Sequence, residues 1–158
     1  MALSLGLKRE VFLSHSSKDR EFVVRLARTL KQHNVRYWYS AVHIAGAKQW
    51  HDEIGRALAR CDWFLIILTP DAVRSQWVKR ELLFALNESR YNERIIPLLR
   101  KPCKYSRLSW TLDEFQLVDF TENFDAGCHQ LLGVWGINYK PSALHSGLGR
   151  KQKRGSRL

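Results

Sequence analysis

The segment Cys61-Asp-Trp-Phe-Leu-Ile-Ile-Leu-Thr-Pro70 decides the fold. From Cys61 to Leu68 it is apolar almost without interruption, which is typical of a central parallel strand that is covered on both faces. Thr69 and Pro70 then predict a helix start, because threonine caps a first turn and proline fits the first helical position. A buried strand that runs directly into a helix indicates an α/β fold.

Short apolar runs alternate with stretches of helical period on both sides of this segment. Strands that alternate with helices indicate crossover connections in a parallel sheet. Pro97 cannot donate a hydrogen bond to a neighbouring strand, so its strand should lie at or near an edge of the sheet. We predict five strands, at residues 11–14, 35–39, 61–68, 95–99 and 116–120.

The stretches between these strands predict helices. Ser17 is the expected N-cap of the first, in which Phe22, Leu26 and Leu30 are spaced to face a sheet. A second helix should follow a loop at residues 40–49, a third should run from about residue 73 to residue 87, and the last should cover residues 124–133.

The chain of 158 residues has room for one domain of ordinary size. We assign that domain to residues 9–140, with an N-terminal extension at residues 1–8. From residue 141 to residue 158 the composition shifts to glycine, serine and basic residues, which predicts a disordered tail.

The formal net charge of +11 raises the hypothesis of a polyanionic partner. Five of the positive charges lie in the tail, and without them the charge falls to +6, which we expect to be spread over the domain. A protein dedicated to binding single-stranded nucleic acid needs aromatic residues among its basic residues, on which bases stack, and the tail has none. We therefore do not expect nucleic acid as a partner.

The three cysteines, Cys61, Cys103 and Cys128, are widely spaced and odd in number. This spacing argues against a disulfide framework and against a zinc site, so we expect no metal and a reducing cytoplasmic location. The first residues lack the pattern of a signal peptide, and no later window reaches membrane-spanning length, so we expect no membrane partner.

The stretch Ser75-Gln-Trp-Val-Lys-Arg-Glu81 holds the best candidates for chemistry. Trp77 and Glu81 are four residues apart and would lie on one face of a helix. Taken alone, this glutamate would most often be a solvated charge, and the tryptophan an ordinary core residue. Ser14, at the end of the first strand, and Ser16, in the hydroxyl-rich turn that follows, would lie at the carboxyl edge of the sheet, where ligands collect. Their structural alternative is a role in turns and caps.

Together, residues 10–19, 61–70 and 75–81 resemble a Toll/interleukin-1 receptor (TIR) domain, and specifically the bacterial branch that consumes NAD+. The resemblance covers about residues 9–137. It implies a flavodoxin-like open parallel sheet flanked by helices, with NAD+ as substrate and no cofactor. It also implies that Glu81 is the catalytic carboxylate.

The resemblance implies roles for two further groups of residues. The loop after the second strand would both gate the pocket and dock on a neighbouring subunit. The residues expected to bind substrate are Trp77, Phe12, Ser14, Ser16 and Gly46, and those expected in the assembly loop are Val42, Ile44 and Ala45.

The function implied by the resemblance is that of an NAD+ nucleosidase or cyclase. Its products would be nicotinamide and ADP-ribose or a cyclic ADP-ribose isomer, which in anti-phage defence activates a separate effector. One alternative is a non-catalytic TIR scaffold that acts through self-assembly. A weaker alternative is a basic nucleic-acid-binding protein.

Overall fold

The computed structural model describes residues 9–40 and 48–141, which form a parallel sheet flanked by helices. The strands are β1 (Glu10–Ser14), β2 (Arg36–Trp38), β3 (Trp63–Leu68), β4 (Ile95–Leu99) and β5 (Val118–Asp119). The α-helices are α1 (Arg20–Gln32), α2 (Lys48–Arg60), α3 (Pro70–Arg74), α4 (Gln76–Asn87) and α5 (Phe124–Val134). Short 3-10 helices cover Ser17–Asp19, Ser89–Tyr91, Tyr105–Arg107 and Trp110–Glu114.

The sheet has the strand order β2-β1-β3-β4-β5, and every pair of neighbours is parallel. This order confirms the predicted flavodoxin-like α/β fold. Pro97 lies opposite Ile66 of β3, whereas β5 pairs only with Leu98 and Leu99. Proline has no backbone N–H to donate, and Pro97 lies before the residues of β4 that pair with the short edge strand β5. This position agrees with the prediction that its strand lies at or near an edge of the sheet.

Two apolar layers cover the sheet. On one face, Leu26 of α1 and Leu131 of α5 join a buried cluster with Val11 and Leu13 of β1. On the other face, α2, α3 and α4 pack against residues such as Phe12, Phe64 and Ile66. Alternate residues of β1 and β3 face opposite layers, as the period of two in a strand requires. Glu81 and α1 thus belong to opposite faces of the sheet.

The start of the first helix differs from the prediction. Ser17 is not the cap of α1; it opens a 3-10 turn that the hydroxyl of Ser16 caps by accepting a 3.3 Å bond from the amide of Lys18. Asp19 occupies the N-cap position of α1 without capping it, because its carboxylate accepts a 2.5 Å hydrogen bond from the hydroxyl of Thr69. The carboxylate of Asp19 thus bonds a residue 50 positions away instead of an amide in the first turn of its own helix.

The predicted helix from about residue 73 to residue 87 is divided. Thr69 caps α3 as expected, with its hydroxyl 3.1 Å from the amide of Ala72. The helix then breaks at Ser75, which has an extended backbone and caps α4 by accepting a 3.2 Å bond from the amide of Val78. The break sets the rotation of α4, and with it the direction of Trp77 and Glu81.

Gly127 on α5 makes a close approach that only glycine allows. A Cβ atom at this position would overlap the ring of Phe120, which is 2% exposed. We predict that Gly127→Ala lowers the free energy of unfolding by about 1–3 kcal/mol, the usual cost of overpacking. Gly133→Ala on the same helix is the control, because nothing lies within 4 Å of its added Cβ. Chemical denaturation measures both, and equal stability of the two variants would contradict the prediction.

Within residues 9–40 and 48–141, no helix is long and apolar enough to cross a membrane. Residues 1–8 and residues 142–158 lie outside the described residues, so the extension and the disordered tail stay predictions. The predicted assembly-loop residues Val42, Ile44 and Ala45, and the predicted substrate residue Gly46, also lie outside the described residues.

Candidate active site

Glu81 lies buried beside the carboxyl end of β1. Its side chain is 5% exposed, and its Oε1 accepts a 3.0 Å hydrogen bond from the hydroxyl of Ser14, the last residue of β1. The two residues are 67 positions apart in the sequence, so the fold alone brings them together. Among the described residues, Ser14 is the one hydrogen-bond partner of this carboxyl group, and a buried carboxyl group with so few partners is costly to keep charged, which marks it as a candidate for function.

The sequence of α4 explains how a glutamate comes to be buried. Val78, Leu82 and Ala85 of this helix are buried in the core, and their spacing of three to four residues defines the inward stripe. Glu81 lies within that stripe, next to Leu82. The apolar residues thus supply the packing that holds the helix to the sheet, and the carboxyl group is buried with them.

Burial raises the pKa of Glu81 to about 8, while the hydrogen bond from Ser14 acts in the opposite direction. Burial has the larger effect because the charged form loses its solvation by water. The neutral and charged forms are therefore both accessible near pH 7. A positive charge placed beside Glu81 would lower its pKa and favour the carboxylate.

Trp77 lies one turn before Glu81 on α4 and also turns toward the body of the domain, where it packs against the core. Its ring centroid is 5.4 Å from that of His51 on α2, with an angle of 60° between the rings. The predicted pairing of Trp77 and Glu81 on one side of a helix is thus present. No pattern in the sequence predicts the contact between His51 and Trp77.

Phe12 lies under the site rather than at its surface. Its ring is 0% exposed and is stacked between Trp38 and Phe64, with centroid distances of 5.1 and 5.5 Å. This environment is that of a core residue. Its contact with substrate stays a prediction.

Two buried polar residues, Ser16 and Asp19, follow Ser14 at the carboxyl edge of the sheet. The hydroxyl of Ser16 is engaged as a cap, and Ser16 is 7% exposed. Asp19 is also 7% exposed; burial raises its pKa, and the hydrogen bond from Thr69 opposes that shift. Asp19 occupies the N-cap position of α1, and its bond to Thr69 joins the segments that follow β1 and β3. Substrate contacts of Ser14 and Ser16 stay predictions.

Among the described residues, no group of three or more histidine, cysteine or acidic side chains is arranged to hold a metal ion. Cys61, Cys103 and Cys128 are free thiols in this part of the chain, and burial raises the pKa of each. A thiol with a raised pKa is a poor nucleophile at neutral pH. The carboxylate of Glu81 is therefore the better candidate for the reacting group.

Comparison with known proteins adds a family and several relatives. A family model described as a TIR domain matches residues 11–132. The chain is 27% identical over 130 residues to the 2' cyclic ADP-D-ribose synthase AbTIR of Acinetobacter baumannii, covering 79% of this chain and 48% of that protein. It is 26% identical over 97 residues to the 2' cyclic ADP-D-ribose synthase BtTIR of Bacteroides thetaiotaomicron, covering 60% of this chain and 34% of that protein. The chain thus spans about half the length of these curated relatives, or less.

Two solved structures are similar in fold. The TIR domain of the Toll-related receptor TRR-2 of Hydra magnipapillata gives a TM-score of 0.63 at 18% identity, covering 79% of this chain and 94% of that one. The TIR domains of the activated Roq1 resistosome give a TM-score of 0.61 at 16% identity, covering 80% and 99%. At these identities the likeness concerns the fold alone.

Proposed function

The chain belongs to the TIR domain family, and from that premise we propose that it cleaves the bond between nicotinamide and ribose in NAD+. The products would be nicotinamide and either ADP-ribose or a cyclic isomer of it. The names of the bacterial relatives, 2' cyclic ADP-D-ribose synthases, support the cyclic product. Release of that product as a signal to a separate effector stays a prediction from the resemblance.

The observation that carries this proposal is the buried carboxyl group of Glu81 at the carboxyl edge of β1. When the glycosidic bond breaks, its electron pair returns to the pyridinium nitrogen, and nicotinamide leaves as a neutral molecule. No acid is needed to protonate this leaving group, unlike the two-carboxylate scheme of ordinary glycosidases. One carboxylate is sufficient.

Positive charge grows on the ribosyl carbon as nicotinamide departs. A carboxylate in a site of low dielectric stabilises that charge more strongly than one in water would. The substrate itself carries the cationic ring that would lower the pKa of Glu81 and convert it to the charged form. The hydroxyl of Ser14 would hold the carboxylate in position by donating to its Oε1. A water, or a hydroxyl of the same substrate, then bonds to the ribosyl carbon and releases its proton to the surrounding water.

Trp77 would be the platform on which the substrate folds back. Its indole is half-buried and one helical turn from Glu81, and a flat ring tolerates stacking in several geometries. A dinucleotide held folded brings its own hydroxyls near the ribosyl carbon, which favours cyclisation over hydrolysis.

We predict that Trp77→Ala reduces turnover and shifts the remaining product from cyclic to linear ADP-ribose. Trp77→Phe should retain part of the cyclic yield, because a smaller ring still offers a flat face. Trp110→Ala, which removes a tryptophan that is 76% exposed, is the matched control and should change neither quantity. Chromatography of the products measures the ratio, and equal ratios in all four proteins would refute the platform role.

The proposed activity is tested by incubating the purified chain with NAD+ and separating the products by chromatography. The protein concentration should be varied, because the resemblance implies that subunits complete the pocket through residues such as Ile44. We expect nicotinamide release that rises faster than linearly with concentration. If no nicotinamide is released at any concentration, the non-catalytic scaffold becomes the better interpretation.

A further inference from the structure

A second candidate site lies on α1, on the face of the sheet opposite to that of Glu81. It is an open groove of about 810 Å³ between α1 and the segment that follows β4. We expected the positive charge outside the tail to be spread over the domain, but part of it is concentrated in this groove. The groove is lined by six cationic residues, which are Lys18, Arg20, Arg25, Arg28, Arg100 and Lys101. We call it the basic groove.

The positive charge of the basic groove is poorly balanced. Two acidic residues, Asp19 and Glu21, line it beside the six cations. Of these two, Asp19 is buried and already bonded to Thr69, and burial raises its pKa. Lys18 lies 3.8 Å from Asp71. For the other five cations, no ion pair within 4.0 Å occurs among residues 9–40 and 48–141. A concave surface with excess charge of one sign concentrates ions of the opposite sign.

Two of the arginines are held in place by aromatic rings. The guanidinium carbon of Arg25 is 3.8 Å from the ring centroid of Phe124, and that of Arg100 is 5.1 Å from the ring centroid of Phe22. A guanidinium over a ring keeps its N–H groups directed outward in its own plane, where they can donate to phosphate oxygens. Less conformational entropy is then lost when an anion binds.

The layout of the groove indicates what kind of anion it fits. The residues from Arg20 to Arg28 extend over about 12 Å along α1, at a rise of about 1.5 Å per residue. That length exceeds what one phosphate group needs and matches several phosphates of a nucleic-acid strand, which recur about every 3.4 Å along a duplex. Among the described residues that line the groove, the only aromatic ring, that of Phe22, is covered by Arg100.

We propose that the basic groove binds the sugar–phosphate backbone of a nucleic acid without sequence preference. Phosphate contacts give affinity and position but carry no sequence information, and the groove presents cations rather than a free surface for stacking bases. This inference does not rest on the proposed NAD+ cleavage, because α1 packs on the face of the sheet opposite to Glu81, although the end of the groove at Lys18 and Asp19 lies at the same carboxyl edge.

The test is fluorescence anisotropy of a labelled short DNA duplex with the full chain, across a range of salt concentrations. Arg28→Glu combined with Lys101→Glu reverses one exposed cation on each side of the groove. The matched control, Arg56→Glu with Arg107→Glu, makes the same change of net charge at exposed positions outside the groove, and both proteins keep the basic tail.

We expect the groove variant to raise Kd at least about tenfold more than the control does. Its slope of log affinity against log salt should be shallower by about two, since each lost phosphate contact contributes about 0.9. An equal loss in both variants would assign binding to net charge or to the tail and overturn the proposal. Binding of tripolyphosphate without binding of the duplex would overturn it as well, as would the absence of any binding at low salt.

Discussion

Glu81→Gln should reduce the rate of nicotinamide release from NAD+ by about 100- to 1000-fold, which is the usual cost of removing one preorganised electrostatic group from an active site. The glutamine keeps the size of the side chain, and its amide oxygen can accept the same hydrogen bond from Ser14. What it removes is the negative charge that would stabilise the ribosyl cation. The loss should therefore appear in kcat more than in KM.

The control for this variant is Glu88→Gln, at the exposed end of the same helix. It makes the same chemical change without touching the buried site, and it should leave nicotinamide release unaltered. Both rates come from the same chromatographic assay. A Glu81→Gln protein that releases nicotinamide as fast as the parent would remove Glu81 from the mechanism.

The sequence predicted those parts of the fold that depend on neighbouring residues. The apolar run of β3, the cap at Thr69 and the position of Pro97 near an edge are all present in the structure. Each of these signals is local, because it depends on side chains within a few positions of the backbone that they shape. The same reasoning placed Trp77 and Glu81 on one side of a helix.

The features that were not predicted depend on contacts between distant residues. The bond between Ser14 and Glu81 and that between Asp19 and Thr69 join residues 67 and 50 positions apart. Such partners compete with local caps, which is why Asp19 does not cap α1 although it occupies the N-cap position. Clustering of cations in the basic groove is likewise a product of tertiary structure, since its residues come from two separate segments.

The burial of Glu81 also makes the stability of the domain depend on pH. The pKa of this carboxyl group is about 8 in the folded chain and near its ordinary value of 4.5 in the unfolded chain. Between these two values the folded state binds the proton more tightly than the unfolded state does. The contribution of Glu81 to the free energy of unfolding is therefore fully present below pH 4.5, falls as the pH rises, and is lost above about pH 8.

Glu81→Gln should remove this dependence, because a glutamine does not titrate. We expect the variant and the parent to differ least in stability near pH 4.5, and the variant to become the more stable protein as the pH approaches 8. The difference should reach a few kcal/mol, since one pKa unit corresponds to about 1.4 kcal/mol. Urea denaturation at a series of pH values measures it, with Glu88→Gln as the exposed control. A solvated carboxylate is not destabilised by burial of its charge. If the difference in free energy of unfolding between Glu81→Gln and the parent stayed constant over this pH range, Glu81 would therefore be charged and solvated in the folded state. In that event the low-dielectric environment on which its proposed catalytic role depends would be absent.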